Sequence, residues 1–251
     1  MKRILAVSLA TSLLALTGCS GDPGGEGRDE LTVLAAASLT DVFEALAEDF
    51  EAEHDAEVTF SFGSSTDLAE QVADGAPGDV LATADEASME LALDAGAAES
   101  ATIFATNVLT IVTPPENPAG VTALDDLAGT TWVRCADEVP CGRVALAVLE
   151  SAGVTAEPAS LEEDVRATLD KVTSGEAEAG LVYASDAVAA GDAVSTVEIP
   201  DADRYRTSYL HTALDSADEP ALAREWTDYV QSEDGRRILV EAGFSVPPQA
   251  P

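Results

Sequence analysis

The stretch LTVLAAASLTDVFEALAEDF, residues 31 to 50, decides the fold. It opens as a strand, with β-branched Thr32 and Val33 in an apolar run. Three alanines and a serine then lead into a helix whose apolar residues Leu39, Phe43, Leu46 and Phe50 recur at helical spacing. Alanine at a strand end lets backbone come close to another group. Ser38-Leu39-Thr40-Asp41 has the form of an N-cap with an acidic residue three places on. Such a helix start offers unpaired N–H groups and the positive end of a dipole, which together suit an anion.

The same alternation continues along the chain. Strand-like runs cover 31–36, 57–62, 79–82, 103–112, 131–135, 180–183 and 194–199. Helical periodicity shows in Leu68 and Val72, in Val144, Val148 and Leu149, and in Val165, Leu169 and Val172. A last helix is predicted from about 221 to 242, after the loop 215–220. Strand and helix taking turns predicts an α/β architecture with largely parallel sheets, and ligands beyond the C-terminal ends of the strands. The break at Thr113-Pro114-Pro115, after the 103–112 run, is expected to mark passage into a second lobe.

Lys2 and Arg3 precede an apolar run from Ile4 to Leu16 that ends in Leu16-Thr17-Gly18-Cys19. Charged, apolar and small-residue segments in that order form an export signal, and the run is shorter than the ~20 residues a membrane span needs. Its last four residues resemble the lipobox of bacterial lipoproteins. That resemblance implies removal of residues 1–18 and lipidation of Cys19, anchoring the chain at the outer side of the cell membrane. Residues 19–30, rich in glycine and charge, have the composition of a flexible tether, so the folded part begins at Leu31.

Forty-seven acidic residues stand against twelve basic ones, for a formal charge of −35. A surface so acidic repels nucleic acid and anionic membrane faces. The carboxylates are spread over helix faces and 46% of residues are hydrophobic, which excludes a disordered chain. Beyond Cys19 the cysteines are Cys135 and Cys141, and an exported chain oxidises such a pair to a disulfide. His54 and His211 have no metal-ligand spacing around them, and no Ser-His-Asp or Cys-His arrangement appears, so neither a metal site nor an enzyme is expected.

Further helix starts repeat the device of the opening stretch. In FSFGSSTDLAEQV a strand ends at Phe62, Gly63 permits a tight approach, and Ser64, Ser65 and Thr66 open a helix. In EVPCGRVAL, Pro140 fits a first helical turn and Cys141-Gly142 brings small side chains. Asp164-Val165 lies in another first turn, and AGLVYASDA ends a strand on Tyr183, whose phenol can donate a hydrogen bond.

These motifs, in this order, resemble the periplasmic molybdate-binding proteins of molybdate ABC importers. The resemblance rests on TVLAAASLTDVF, SFGSSTDLAEQVADGAPGDVLATAD, DEVPCG, EDVRATLDKVTSGEAEAGLVYASDA and the closing Gly243-Phe244, and it covers nearly the whole mature chain. It implies a two-lobed periplasmic-binding-protein fold of type II, each lobe a mixed, mainly parallel sheet flanked by helices. Residues 31–106 and 206–251 would form lobe I, and 107–205 lobe II. It also implies an oxyanion site without metal or cofactor. Ser38 and Ser65 would supply hydroxyls and N–H groups, Tyr183 a hydroxyl, and Cys141 and Val165 backbone N–H groups. The ligand would be molybdate or tungstate. The partners would be an ABC permease and its ATPase, with the binding protein a monomer. A site for another tetrahedral oxyanion, such as sulfate or thiosulfate, and a sensor lipoprotein without transport are the alternatives. A plain small residue is usual in that family at the position of Cys141, so a disulfide there departs from its common pattern.

Overall fold

The computed structural model describes residues 28–248. The signal segment, the lipidation expected at Cys19 and most of the tether lie outside them. Two five-stranded sheets carry the fold, each flanked by helices. Lobe I contains β1 (Asp29–Ala36), α1 (Thr40–His54), β2 (Ala56–Gly63), α2 (Ser65–Ala73), β3 (Val80–Thr83), α3 (Glu86–Asp94) and β4 (Thr102–Asn107). Lobe II contains β5 (Leu109–Thr113), β6 (Trp132–Cys135), α4 (Pro140–Ala152), β7 (Ser160–Glu162), α5 (Val165–Thr173), β8 (Ala179–Tyr183), α6 (Ala184–Ala190) and β9 (Ser195–Val197). The chain then returns to lobe I as β10 (Thr207–Ala213), α7 (Pro220–Val230) and α8 (Glu233–Glu241).

The strand orders are β2-β1-β3-β10-β4 and β7-β6-β8-β5-β9. In lobe I, β1 runs parallel to β2 and β3, while β10 is antiparallel to β3 and β4. Lobe II repeats the plan: β6 is parallel to β7 and β8, and β5 is antiparallel to β8 and β9.

The opening stretch shows why its apolar run is unbroken. β1 is a central strand, so both of its faces are covered. Leu31, Val33 and Ala35 join the core that α1, α7 and α8 build from Phe43, Phe50, Trp226 and Leu239. Leu34 points to the other face, against Leu68 of α2, Leu81 of β3 and Met89 of α3. Trp226 meets Phe43 and Phe50 edge to face, at 5.5 and 5.2 Å between ring centroids.

Several sequence expectations are corrected. The run 103–112 is two strands in two different sheets, parted at Val108. The Asn107 side chain takes the Val108 N–H at 2.9 Å, so the ladder stops there although no glycine or proline marks the place. The expected helix 221–242 is two helices, because Ser232 caps α8 by accepting from the Gly235 N–H at 3.1 Å. A Cβ at Gly235 would lie 2.4 Å from the Tyr229 carbonyl oxygen, so the tight turn between the two helices requires glycine. Strands β7 and β10 and helices α3 and α6 carry too little apolar periodicity to have been read.

Candidate anion-binding site

The ends of β1 and β8 and the starts of α2, α4 and α5 converge where the lobes meet. Ser38, Ser65, Cys141, Val165 and Tyr183 all line one small cavity of about 20 Å³, with Ala84 and Asp164 beside them. Ser38 and Ser65 come from lobe I, and Cys141, Val165 and Tyr183 from lobe II. All five are buried. No lysine or arginine is among the described residues that line it. Larger clefts exist elsewhere, one of about 380 Å³ beside His211, but its lining sets the carboxylates of Glu99, Asp215 and Asp228 against the single guanidinium of Arg224, a balance that opposes an anion.

Each element places its residue for a local reason. Ser64, not Ser65, is the cap of α2, accepting from the Asp67 N–H at 3.5 Å. Ser65 is thereby the first helical residue, and its own N–H has no intrahelical acceptor. Asp164 caps α5 through the Ala167 N–H at 2.9 Å, which leaves Val165 in the same position on its helix. Pro140 occupies the first turn of α4, where its missing N–H costs nothing, and Cys141 follows it.

The expected disulfide joins Cys135 at the end of β6 to Cys141, with Cα atoms 5.7 Å apart. It ties the start of α4 to the strand behind it. Gly142 belongs to the same tight corner: a Cβ there would fall 1.7 Å from the Ala136 carbonyl oxygen.

Two local readings change. Ser38 is not an N-cap: it lies in a short 3-10 turn, Ala37–Leu39, and the residue before α1 is Leu39, which makes no side-chain cap. The Ser38 hydroxyl is paired instead with the phenol of Tyr209 at 2.8 Å, a contact spanning 171 residues of sequence. Gly63 makes no tight approach, since a Cβ on it would meet nothing within 4 Å.

The hydroxyls differ in their bonding. Ser65 Oγ accepts from the Ala84 N–H at 2.9 Å, which leaves its own proton free. Tyr183 is fully buried and its hydroxyl has no partner among the described residues. Burial, reinforced by Tyr209 and the carboxylates of Asp85 and Asp186, pushes the Tyr183 phenol well above its ordinary value. It therefore remains protonated, a donor.

Three further features escaped sequence reading. Asp186 is buried behind Tyr183, accepts the Tyr183 N–H at 3.1 Å, and is pushed by burial from 3.8 up to about 7. Arg143 of α4 reaches across to lobe I, bonding Asp85 through Nε at 2.7 Å and Ser88 Oγ at 2.9 Å. Arg166 of α5 pairs with Asp41 of α1. Thr66 Oγ1 adds a bond to the Glu138 carbonyl oxygen at 2.9 Å. The lobes are thus clasped by contacts on both sides of the cavity.

Two α/β lobes joined by crossing strands and meeting over a small buried cavity with a few convergent hydroxyls have the form of a solute-binding protein. The family described as bacterial extracellular solute-binding protein matches residues 31–245, and the chain belongs to it. It is 36% identical over 256 residues to a Mycobacterium tuberculosis protein named molybdate-binding protein ModA, covering 97% of this chain and 98% of that one. The solved periplasmic molybdate-binding protein of Azotobacter vinelandii superposes with a TM-score of 0.79 at 24% identity, covering 87% of this chain and all of the other. The sulfate-binding protein SubI of Mycobacterium tuberculosis superposes with a TM-score of 0.76 at 18% identity, covering 88% of each chain. The same fold is therefore shared by proteins named for different anions.

Proposed function

We propose that this protein captures molybdate, and tungstate with it, outside the cell for an ABC importer made of a permease and its ATPase. It works as a monomeric lipoprotein anchored through Cys19, and it binds without catalysing a reaction. The observation that carries this reading is the convergence of three hydroxyls, Ser38, Ser65 and Tyr183, with the starts of α2, α4 and α5 on one buried cavity that no basic side chain among the described residues lines. The likeness to proteins named for molybdate over almost the full chain supports it.

Hydroxyl and N–H groups suit a proton-free dianion. Molybdate near neutral pH offers only acceptors, and donors held at the site answer each of them. Hydrogen phosphate brings a proton that a donor-only site leaves unpaired, at a cost of roughly 1–3 kcal/mol. Sulfate is also proton-free, so it is discriminated by size: a smaller tetrahedron makes longer bonds to donors set for a larger one. Tungstate has nearly the size of molybdate and is accepted with it. Because Ser38 and Ser65 belong to one lobe and Cys141, Val165 and Tyr183 to the other, the ligand favours the closed arrangement, which is what an importer can read.

A thermal-shift titration with molybdate, tungstate, sulfate and phosphate tests this, since a ligand that binds only the folded chain raises its melting temperature. Large shifts with molybdate and tungstate alone are expected. An equal shift with sulfate would replace the proposal with a general oxyanion binder, and no shift with any of the four would overturn it.

A further inference from the structure

Tyr209 lies at the centre of lobe I, fully buried, between the ring of Tyr183 at 6.0 Å and that of Phe244 at 5.2 Å. It does not line the cavity, yet its phenol is 2.8 Å from Ser38 Oγ, which does. Either oxygen can donate in that bond, and which one does decides what Ser38 presents to a ligand. If Ser38 donates to Tyr209, a lone pair faces the cavity. If Tyr209 donates to Ser38, the serine proton is left for the ligand.

Burial resolves the choice. Ser38 Oγ is the hydrogen-bond partner of the Tyr209 phenol among the described residues, and the phenol is fully buried. Donation from Tyr209 to Ser38 gives the phenol proton an acceptor. The reverse direction would leave the Tyr209 proton without an acceptor inside a fully buried site, an arrangement that folded proteins avoid.

Ser65 is wired the same way by different means. One of its two lone pairs is taken by the Ala84 N–H, which can only donate. Tyr183 has no competing partner among the described residues. All three hydroxyls then keep a proton available to a ligand.

We propose that Tyr209 is a positioning residue: it fixes the direction of the Ser38 hydroxyl and so makes the site selective for oxyanions that carry no proton. The proposal rests on the oxyanion-binding reading above and names a determinant of its selectivity. Removing the phenol frees a Ser38 lone pair to accept from a protonated ligand.

The test measures the affinities of molybdate and inorganic phosphate for the parent protein, Tyr209→Phe, Ser38→Ala and the double variant. In Tyr209→Phe the molybdate-to-phosphate preference is expected to fall roughly tenfold, the scale of one unpaired buried proton. In the Ser38→Ala background the same substitution should change the preference by less than about twofold, because its effect runs through Ser38. An equal loss of affinity for both anions, or the same change of preference with and without Ser38, would overturn the proposal. A purely structural role for Tyr209 would weaken both anions together. If Tyr209→Phe does not fold, Tyr209→3-fluorotyrosine keeps the shape with a stronger donor and should raise the preference; an unchanged preference would overturn it. Failure of the parent protein to bind either anion would instead remove the underlying reading, so the two failures are distinct.

Discussion

The two lobes reach one cavity by different means. Lobe I supplies serine hydroxyls that are already bonded into the fold, Ser38 to Tyr209 and Ser65 to Ala84. Lobe I also brings the start of α2, whereas lobe II supplies only the starts of α4 and α5, whose N–H groups no substitution but proline removes, and one phenol without a partner among the described residues. Binding and stability are coupled on one side of the cavity and separate on the other.

Ser65→Ala should break the coupled side most visibly. It removes a donor to a charged ligand and strands the Ala84 N–H, each worth roughly 1–3 kcal/mol. Molybdate affinity by calorimetry is expected to drop about a hundredfold, and the ligand-free melting temperature should fall by several degrees. An unchanged melting temperature would erase the contrast between the lobes.

Tyr183→Phe is the matching experiment on the other side. Losing one hydrogen bond to a charged group weakens binding roughly tenfold to a hundredfold. The ligand-free protein should melt at the same temperature or higher, since a buried unpaired hydroxyl is gone. A clear loss of ligand-free stability would show that this phenol is tied to the fold after all.

The contrast extends to two buried titratable groups with opposite signs. Asp186 of lobe II is raised to about 7 by burial, so its share of stability is full below its unfolded value of 3.8 and is lost as pH climbs to about 7. His211 of lobe I is lowered by burial from 6.5 to about 3, so it stays neutral in the fold and contributes stability that grows as pH rises from about 3 to 6.5. Between pH 4 and 6.5 the two oppose each other. In Asp186→Asn the falling contribution disappears, and stability from urea titrations should rise more steeply with pH over that range than in the parent. Identical slopes would mean that Asp186 titrates no differently in the folded and unfolded chains.

Arg143→Ala should have the smallest effect. Its bonds to Asp85 and Ser88 join the lobes without touching the cavity, and partly exposed pairs contribute about 1 kcal/mol or less. Affinity is expected to fall less than about fivefold, and by less still in high salt. A loss as large as that of Tyr183→Phe would move Arg143 into the binding site proper.

What the sequence made legible was local. The strand-to-helix passage at residues 31–50, the starts of α2, α4 and α5 and the Cys135–Cys141 bridge depend on residues a few places apart. What it hid was made by distance. Ser38 has the local form of a cap, yet its hydroxyl goes to Tyr209 on a strand that returns from the other lobe to insert between β3 and β4. The passage from one sheet to the other at Val108 hides inside a continuous β-prone run, because the signal that stops the strand is a side-chain bond from Asn107. Thr207-Ser208-Tyr209-Leu210-His211-Thr212 carries too few large apolar residues to read as a buried strand, although it runs through the middle of a sheet.

The cleft-spanning arginines also bear on how truthfully the shape of this protein reports its cargo. Arg143 and Arg166 join the lobes through bonds in which no ligand takes part. Strong bonds of that kind would shut the chain around nothing and send the importer a false report. At about 1 kcal/mol or less apiece, each shifts an open-to-closed balance by no more than about fivefold, while the mutual repulsion within a chain of charge −35 acts the other way. On the proposed reading, the decision to close is thereby left to the donors around the cavity.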